Sequence, residues 1–94
     1  MEPATRPPLT TAERIHDKCM DIRGLLLQKN LAYGDSALNP IRIFSQADAS
    51  EQLRVRIDDK LSRLARGDHD WDDEDTIMDL VGYLVLLLVA RDME

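Results

Sequence analysis

Apolar residues recur along this chain at helical spacing in three places. Ile15, Cys19, Ile22 and Leu26 follow one another at intervals of four, three and four, and Met20, Leu25 and Leu27 widen the stripe. Leu53, Ile57, Leu61 and Leu64 form a second stripe. A third segment, Leu80 to Ala90, is apolar at almost every position. Intervals of three and four place side chains on one face of an α-helix, whereas a strand would need alternation. No β-hairpin signal and no internal repeat is present.

Start and stop signals bracket each stripe. Thr10-Thr11-Ala12-Glu13 has the form of a capping box, and Gly34 accepts the left-handed conformation that ends a helix. Asp48-Ala49-Ser50-Glu51 repeats the box before the second stripe, which Gly67 closes. Acids from Asp72 to Asp75 suit the start of a third helix, and Arg91 suits its far end. The expected fold is an all-α bundle of three to four helices in one domain, residues 10–94. An arm of residues 1–9 with three prolines precedes it. Ile41, Ile43 and Phe44, after the turn residues Gly34 to Pro40, read either as a short strand or as a helical turn plugging the core. Gly24 lies inside the first helix, where it costs up to about 1 kcal/mol relative to Ala and would permit close packing.

The third helix raises the question of assembly. A helix apolar on nearly every side must be surrounded. Two helices and a loop leave part of it open, so the expectation is a bundle completed by homo-oligomerisation. The alternative is a monomer whose Ile41–Phe44 loop covers the strip.

Composition narrows the functional classes. Ninety-four residues hold one small domain, which excludes multidomain enzymes and barrels. The net charge of -6 argues against duplex nucleic acid as the main partner. The 11-residue apolar stretch falls short of the about 20 residues that span a membrane. With a lone cysteine there is no internal disulfide, and Cys19 reads as core. A cytoplasmic location is expected.

Two groups of residues carry candidate chemistry. Asp75 and Asp79 are four apart, on a face continued by Gly82 and Leu86, with Glu74 at its edge. A carboxylate among buried residues must pair with a base, protonate or hold a cation. Asp58 and Asp59 lie on the second helix, and together these acids form a candidate oxygen-only site of the kind that suits Mg²⁺. The plainer reading pairs Asp58 with a base across the bundle and makes Asp75 a cap. Lys29, Asn30, Tyr33 and Ser36 bring a cation, an amide, a phenol and a hydroxyl to one helix end. That mixture suits a ligand with a ring and a phosphate, although most such segments are polar caps. The acidic run from Asp68 to Asp75 lacks the glycine and terminal glutamate of a calcium loop and reads as a solvated linker pinned by Trp71. His16 and His69 read as surface residues.

The order of three blocks resembles a known family. Lys29-Asn30, Tyr33-Gly34-Asp35-Ser36, Asn39-Pro40 and Phe44 are similar to the opening signature of the phage and bacterial nucleotide-modification-associated domain family, type one. Arg56 to Arg63, then Glu74-Asp75-Thr76 through Asp79, Leu80 and Tyr83, are similar to its second and third blocks. That family in turn resembles the MazG-like all-α nucleoside triphosphate pyrophosphohydrolases. The resemblance implies a phage-type nucleotide-binding protein. It also implies a dimer or tetramer, and Mg²⁺-dependent hydrolysis of a nucleoside triphosphate to monophosphate and pyrophosphate. On it, Asp75 and Asp79 hold the metal with Asp58 or Asp59 and Glu74. Lys29, Lys60 and Arg63 hold phosphate, and Tyr33 or Tyr83 stacks on the base. The acids of the second helix are adjacent aspartates where the MazG pattern has glutamates a turn apart. That departure favours a rival, a non-catalytic binder that sequesters a nucleotide or a cyclic-nucleotide second messenger in the host cytoplasm. A plain oligomerisation module is the third reading.

Overall fold

The computed structural model describes residues 7–67 and 74–94. Among them are three α-helices and no strand: α1 (Thr11–Ala32), α2 (Ala49–Ala65) and α3 (Glu74–Asp92). The all-α expectation is met, with three helices forming a small bundle. Residues 1–6 of the expected arm lie outside the described residues. So does most of the acidic run, including His69 and Trp71.

The helix boundaries follow from side-chain chemistry. Thr10 accepts a hydrogen bond from the Glu13 backbone N–H at 3.1 Å, and Glu13 accepts one from the Thr10 N–H at 3.0 Å. The bond from the Thr10 backbone, with that from its hydroxyl, holds the Glu13 carboxyl below its ordinary range. A lowered carboxyl stabilises the helix above its unfolded value and loses that contribution as pH falls through the folded one. At α2 only half of the box forms. Asp48 accepts from the Glu51 N–H at 2.8 Å, while the Glu51 carboxylate faces Arg54 at 3.6 Å.

The core lies between α2 and α3. Leu53 and Leu64 of α2 are buried, as are Thr76 and Ala90 of α3. Ile57 is half-buried, but Leu61, expected in the same stripe, is exposed. At one end of this pair the buried Ser50 hydroxyl donates to the Glu94 carboxylate at 2.5 Å. The helix α1 packs on α3 and makes no packing contact with α2. Its approach is close at Gly82, where a Cβ would stand 3.2 Å from Leu26 Cδ2. Glycine there lets the Leu26 side chain rest against the α3 backbone.

Several apolar residues are not where their type suggests. No residue of α1 is buried. Ile22, Leu25 and Leu26 are half-covered, while Ile15 and Cys19 are exposed, so Cys19 is not a core residue. Packing on α3 alone covers one narrow strip of α1, and the rest of the expected stripe faces outward. Ile41, Ile43 and Phe44 form neither a strand nor a plug. Phe44 is 97% exposed, and the segment leaves α3 uncovered along Ile77, Leu84 and Leu88. Among the described residues no helix is long and apolar enough to cross a membrane.

This distribution separates two substitutions by size. Leu53→Ala should destabilise the protein by about 2–5 kcal/mol in urea melts, because it removes a fully enclosed side chain. Phe44→Ala should stay within about 0.5 kcal/mol of the parent chain, since the ring makes no enclosed contact.

Candidate functional site

The end of α1 is built by its own sequence. Gly34 adopts φ 61° and Asp35 follows at φ 64°. The Asp35 N–H then reaches back to the Asn30 carbonyl at 3.0 Å, and the Gly34 N–H to Leu31 at 3.5 Å. This is a Schellman closure, with glycine at the left-handed position where a side chain would be strained. Asp35 next gathers the turn, its carbonyl accepting from the Asn39 N–H and its carboxylate from the Asn39 side-chain amide. The result fixes Lys29, Asn30, Tyr33 and Ser36 along one edge of α1 and its turn.

A cleft of about 390 Å³ opens between that edge and α3. Leu25 and Leu26 of α1 and Met78, Gly82 and Leu86 of α3 give it an apolar floor. Lys29, Asn30, Tyr33 and Ser36 stand on one side, with Asp79 and Tyr83 on the other. The face read from spacing as Asp79, Gly82 and Leu86 therefore forms one wall. Arg56 of α2 also lines the cleft. Its role was not singled out in the sequence, although it precedes Lys60 by one helical turn and shares its face, which is the signal that places it there.

Asp79 of α3 is reached by side chains of both other helices. Its carboxylate accepts a hydrogen bond from the Lys60 ammonium at 3.1 Å and meets Lys29 at 3.9 Å. The Lys60 side chain is 13% exposed and that of Asp79 is 36% exposed, so the first contact is shielded and the second lies nearer to water. One carboxylate from α3 thus joins a lysine of α1 to a lysine of α2. Of the possibilities open to an acid on this face, pairing with a base is the one present.

The two expected acids of α2 do not join it. Asp58 and Asp59 are exposed on α2 and do not line the cleft. Adjacent residues differ by about 100° around a helix, so two neighbouring aspartates cannot both point inward. Glu74 begins α3, with its side chain outside the described part of the chain, and Asp75 follows it, exposed. Among the described residues no three carboxylate, imidazole or thiolate groups come together to hold a metal ion. Arg63 is exposed in the last turn of α2 and is not part of the cleft lining.

Comparison of the chain with protein-family models, with curated proteins and with solved structures gives no match.

The geometry at Asp79 sets an expected outcome. Asp79→Asn keeps the shape but leaves the half-buried Lys60 without its counter-charge. It should destabilise the protein by about 1.5–3 kcal/mol, the range for hydrogen bonds to charged groups. Denaturant melts without ligand measure this. Unchanged or increased stability would show that Asp79 is a strained site residue, not a structural partner.

Proposed function

We propose that this chain is a cytoplasmic, self-associating, phage-type protein that binds a nucleotide or a nucleotide-derived small molecule without turning it over. The observation that carries the reading is the cleft. It sets two phenols and an apolar floor beside Lys29 and Arg56, in a chain of net charge -6. A planar base needs an apolar or aromatic surface, and a phosphate needs mobile cations. Tyr33 and Tyr83 face the base in this reading, Lys29 and Arg56 meet phosphate oxygens, and Asn30 and Ser36 offer hydrogen bonds to the sugar or base edge. Lys60 acts from behind, holding Asp79.

Binding is favoured over hydrolysis by the state of Asp79. A carboxylate already engaged by two ammonium groups is a poor ligand for a third cation, and the acids of α2 face away. The resemblance to MazG-like enzymes then extends to the nucleotide and not to the reaction. In a phage-encoded protein such binding withdraws a nucleotide or a cyclic-nucleotide second messenger from the host.

A thermal-shift screen of nucleotides and cyclic nucleotides, with and without Mg²⁺, tests this. A ligand at 100 times its dissociation constant stabilises the fold by about 2.7 kcal/mol. Stabilisation independent of Mg²⁺, with the ligand recovered intact, is the expected result. Release of pyrophosphate only with Mg²⁺ would restore the hydrolase reading, and no stabilisation by any nucleotide would leave an oligomerisation module. For a ligand found in this way, Lys29→Ala and Arg56→Ala should each weaken binding by about 1.5–3 kcal/mol in titration calorimetry. Arg63→Ala should leave affinity unchanged.

A further inference from the structure

The two cations of the cleft can move and its carboxylate cannot. Lys29 and Arg56 are exposed, and each ends a long side chain able to turn toward a bound anion. Asp79 also lines the cleft, but the Lys60 ammonium holds it from behind at 3.1 Å. The Lys60 side chain is largely shielded, so a carboxylate that swung away would strand a charge with little access to water. A fixed negative charge therefore stands in the wall beside two adjustable positive ones.

That charge lies close to where a phosphate would sit. Lys29 is 3.9 Å from the Asp79 carboxylate. A phosphate oxygen hydrogen-bonded to Lys29 then falls within about 7 Å of that carboxylate. This is inside the about 8 Å over which physiological salt screens a charge. A phosphate monoester carries about −1.5 to −2 at neutral pH, which Lys29 and Arg56 together neutralise. Among the described residues lining the cleft there is no third cation. Each further phosphate adds negative charge that faces Asp79 unopposed. The size agrees with the charge. At about 390 Å³ the cleft lies near the lower end of the about 300–1,000 Å³ usual for small-molecule sites, in keeping with one base, one sugar and one phosphate.

We propose, on the basis of the nucleotide-binding reading above, that Asp79 is a specificity-determining residue: it restricts the cleft to nucleotides bearing a single phosphate group and disfavours di- and triphosphates. A 5′-monoester and a cyclic diester share that chemistry.

Calorimetric titration of the full chain without divalent cations tests this. The probes are the 5′-mono-, di- and triphosphates and the 3′,5′-cyclic monophosphates of the common nucleosides. For the base that binds, a monophosphate should be tightest, with affinity falling about threefold or more for each added phosphate. Preference for the cyclic form identifies a diester ligand, and preference for the open form a monoester. In Asp79→Asn the ratio of triphosphate to monophosphate affinity should rise about tenfold. Both affinities are taken on one preparation, so a loss of stability does not alter their ratio. If Asp79→Asn fails to fold, the double variant Asp79→Asn with Lys60→Met, which strands no base, replaces it. A parent chain that binds the triphosphate most tightly overturns the proposal, and so does an unchanged ratio in the variant. Nucleotide binding itself would stand in either case. Failure of every nucleotide to bind removes the nucleotide reading and the role of Asp79 with it.

Discussion

The constraint that organises this chain is that α3 alone packs against both other helices, and Asp79 marks it with an ion pair to each. The helices α1 and α2 do not pack against each other, and each is held against α3. The Asp79 carboxylate is the point at which both are tied at once, through Lys29 and Lys60. The two ties differ in kind. The contact with Lys60 is short and shielded, and a half-buried charge-assisted hydrogen bond is specific in geometry. The contact with Lys29 is longer and wetter, and exposed pairs of that length contribute little to stability. The contact with Lys60 ties α2 to α3 more firmly than the contact with Lys29 ties α1 to α3.

Much of this was legible in the sequence, for reasons that can be stated residue by residue. The box at Thr10 and Glu13 and the stop at Gly34 are local chemistry, and both formed. The wall Asp79–Gly82–Leu86 is a property of helical periodicity and needed no knowledge of neighbours. What failed required knowing what covers what. Cys19 and Phe44 are apolar, but exposure depends on whether another element lies over them, and α1 meets only one helix. Lys60 and Asp79 lie on different helices, so their pairing is invisible to spacing within either. Arg56 is set at the cleft by the way α2 lies against α3, which spacing within α2 does not reveal.

The cleft concentrates cations in a chain that is acidic as a whole. At physiological salt the surface charges are screened beyond about 8 Å, so the net charge of -6 does little to repel an anion once it is near. In the binder proposed above, recognition would rest on the few groups that line the cleft: Lys29 and Arg56 on charge, Tyr33 and Tyr83 on shape. Such a binder would discriminate against extended polyanions, which meet the whole acidic surface, and tolerate small ones.

The closure at the end of α1 has a consequence for which changes of chain length this protein can absorb. The turn is made by residues 30–35 acting on one another, and its bonds do not involve α2. A residue gained or lost between Arg42 and Ala47 would alter only the path from one finished element to the next. A residue gained between Leu26 and Lys29 would carry the entire closure with it, turned by about 100°. Lys29 would leave Asp79, Tyr33 would leave the cleft, and the turn would still form perfectly in the wrong direction. Relatives of this chain should therefore vary in length on one side of Pro40 and hold their count on the other.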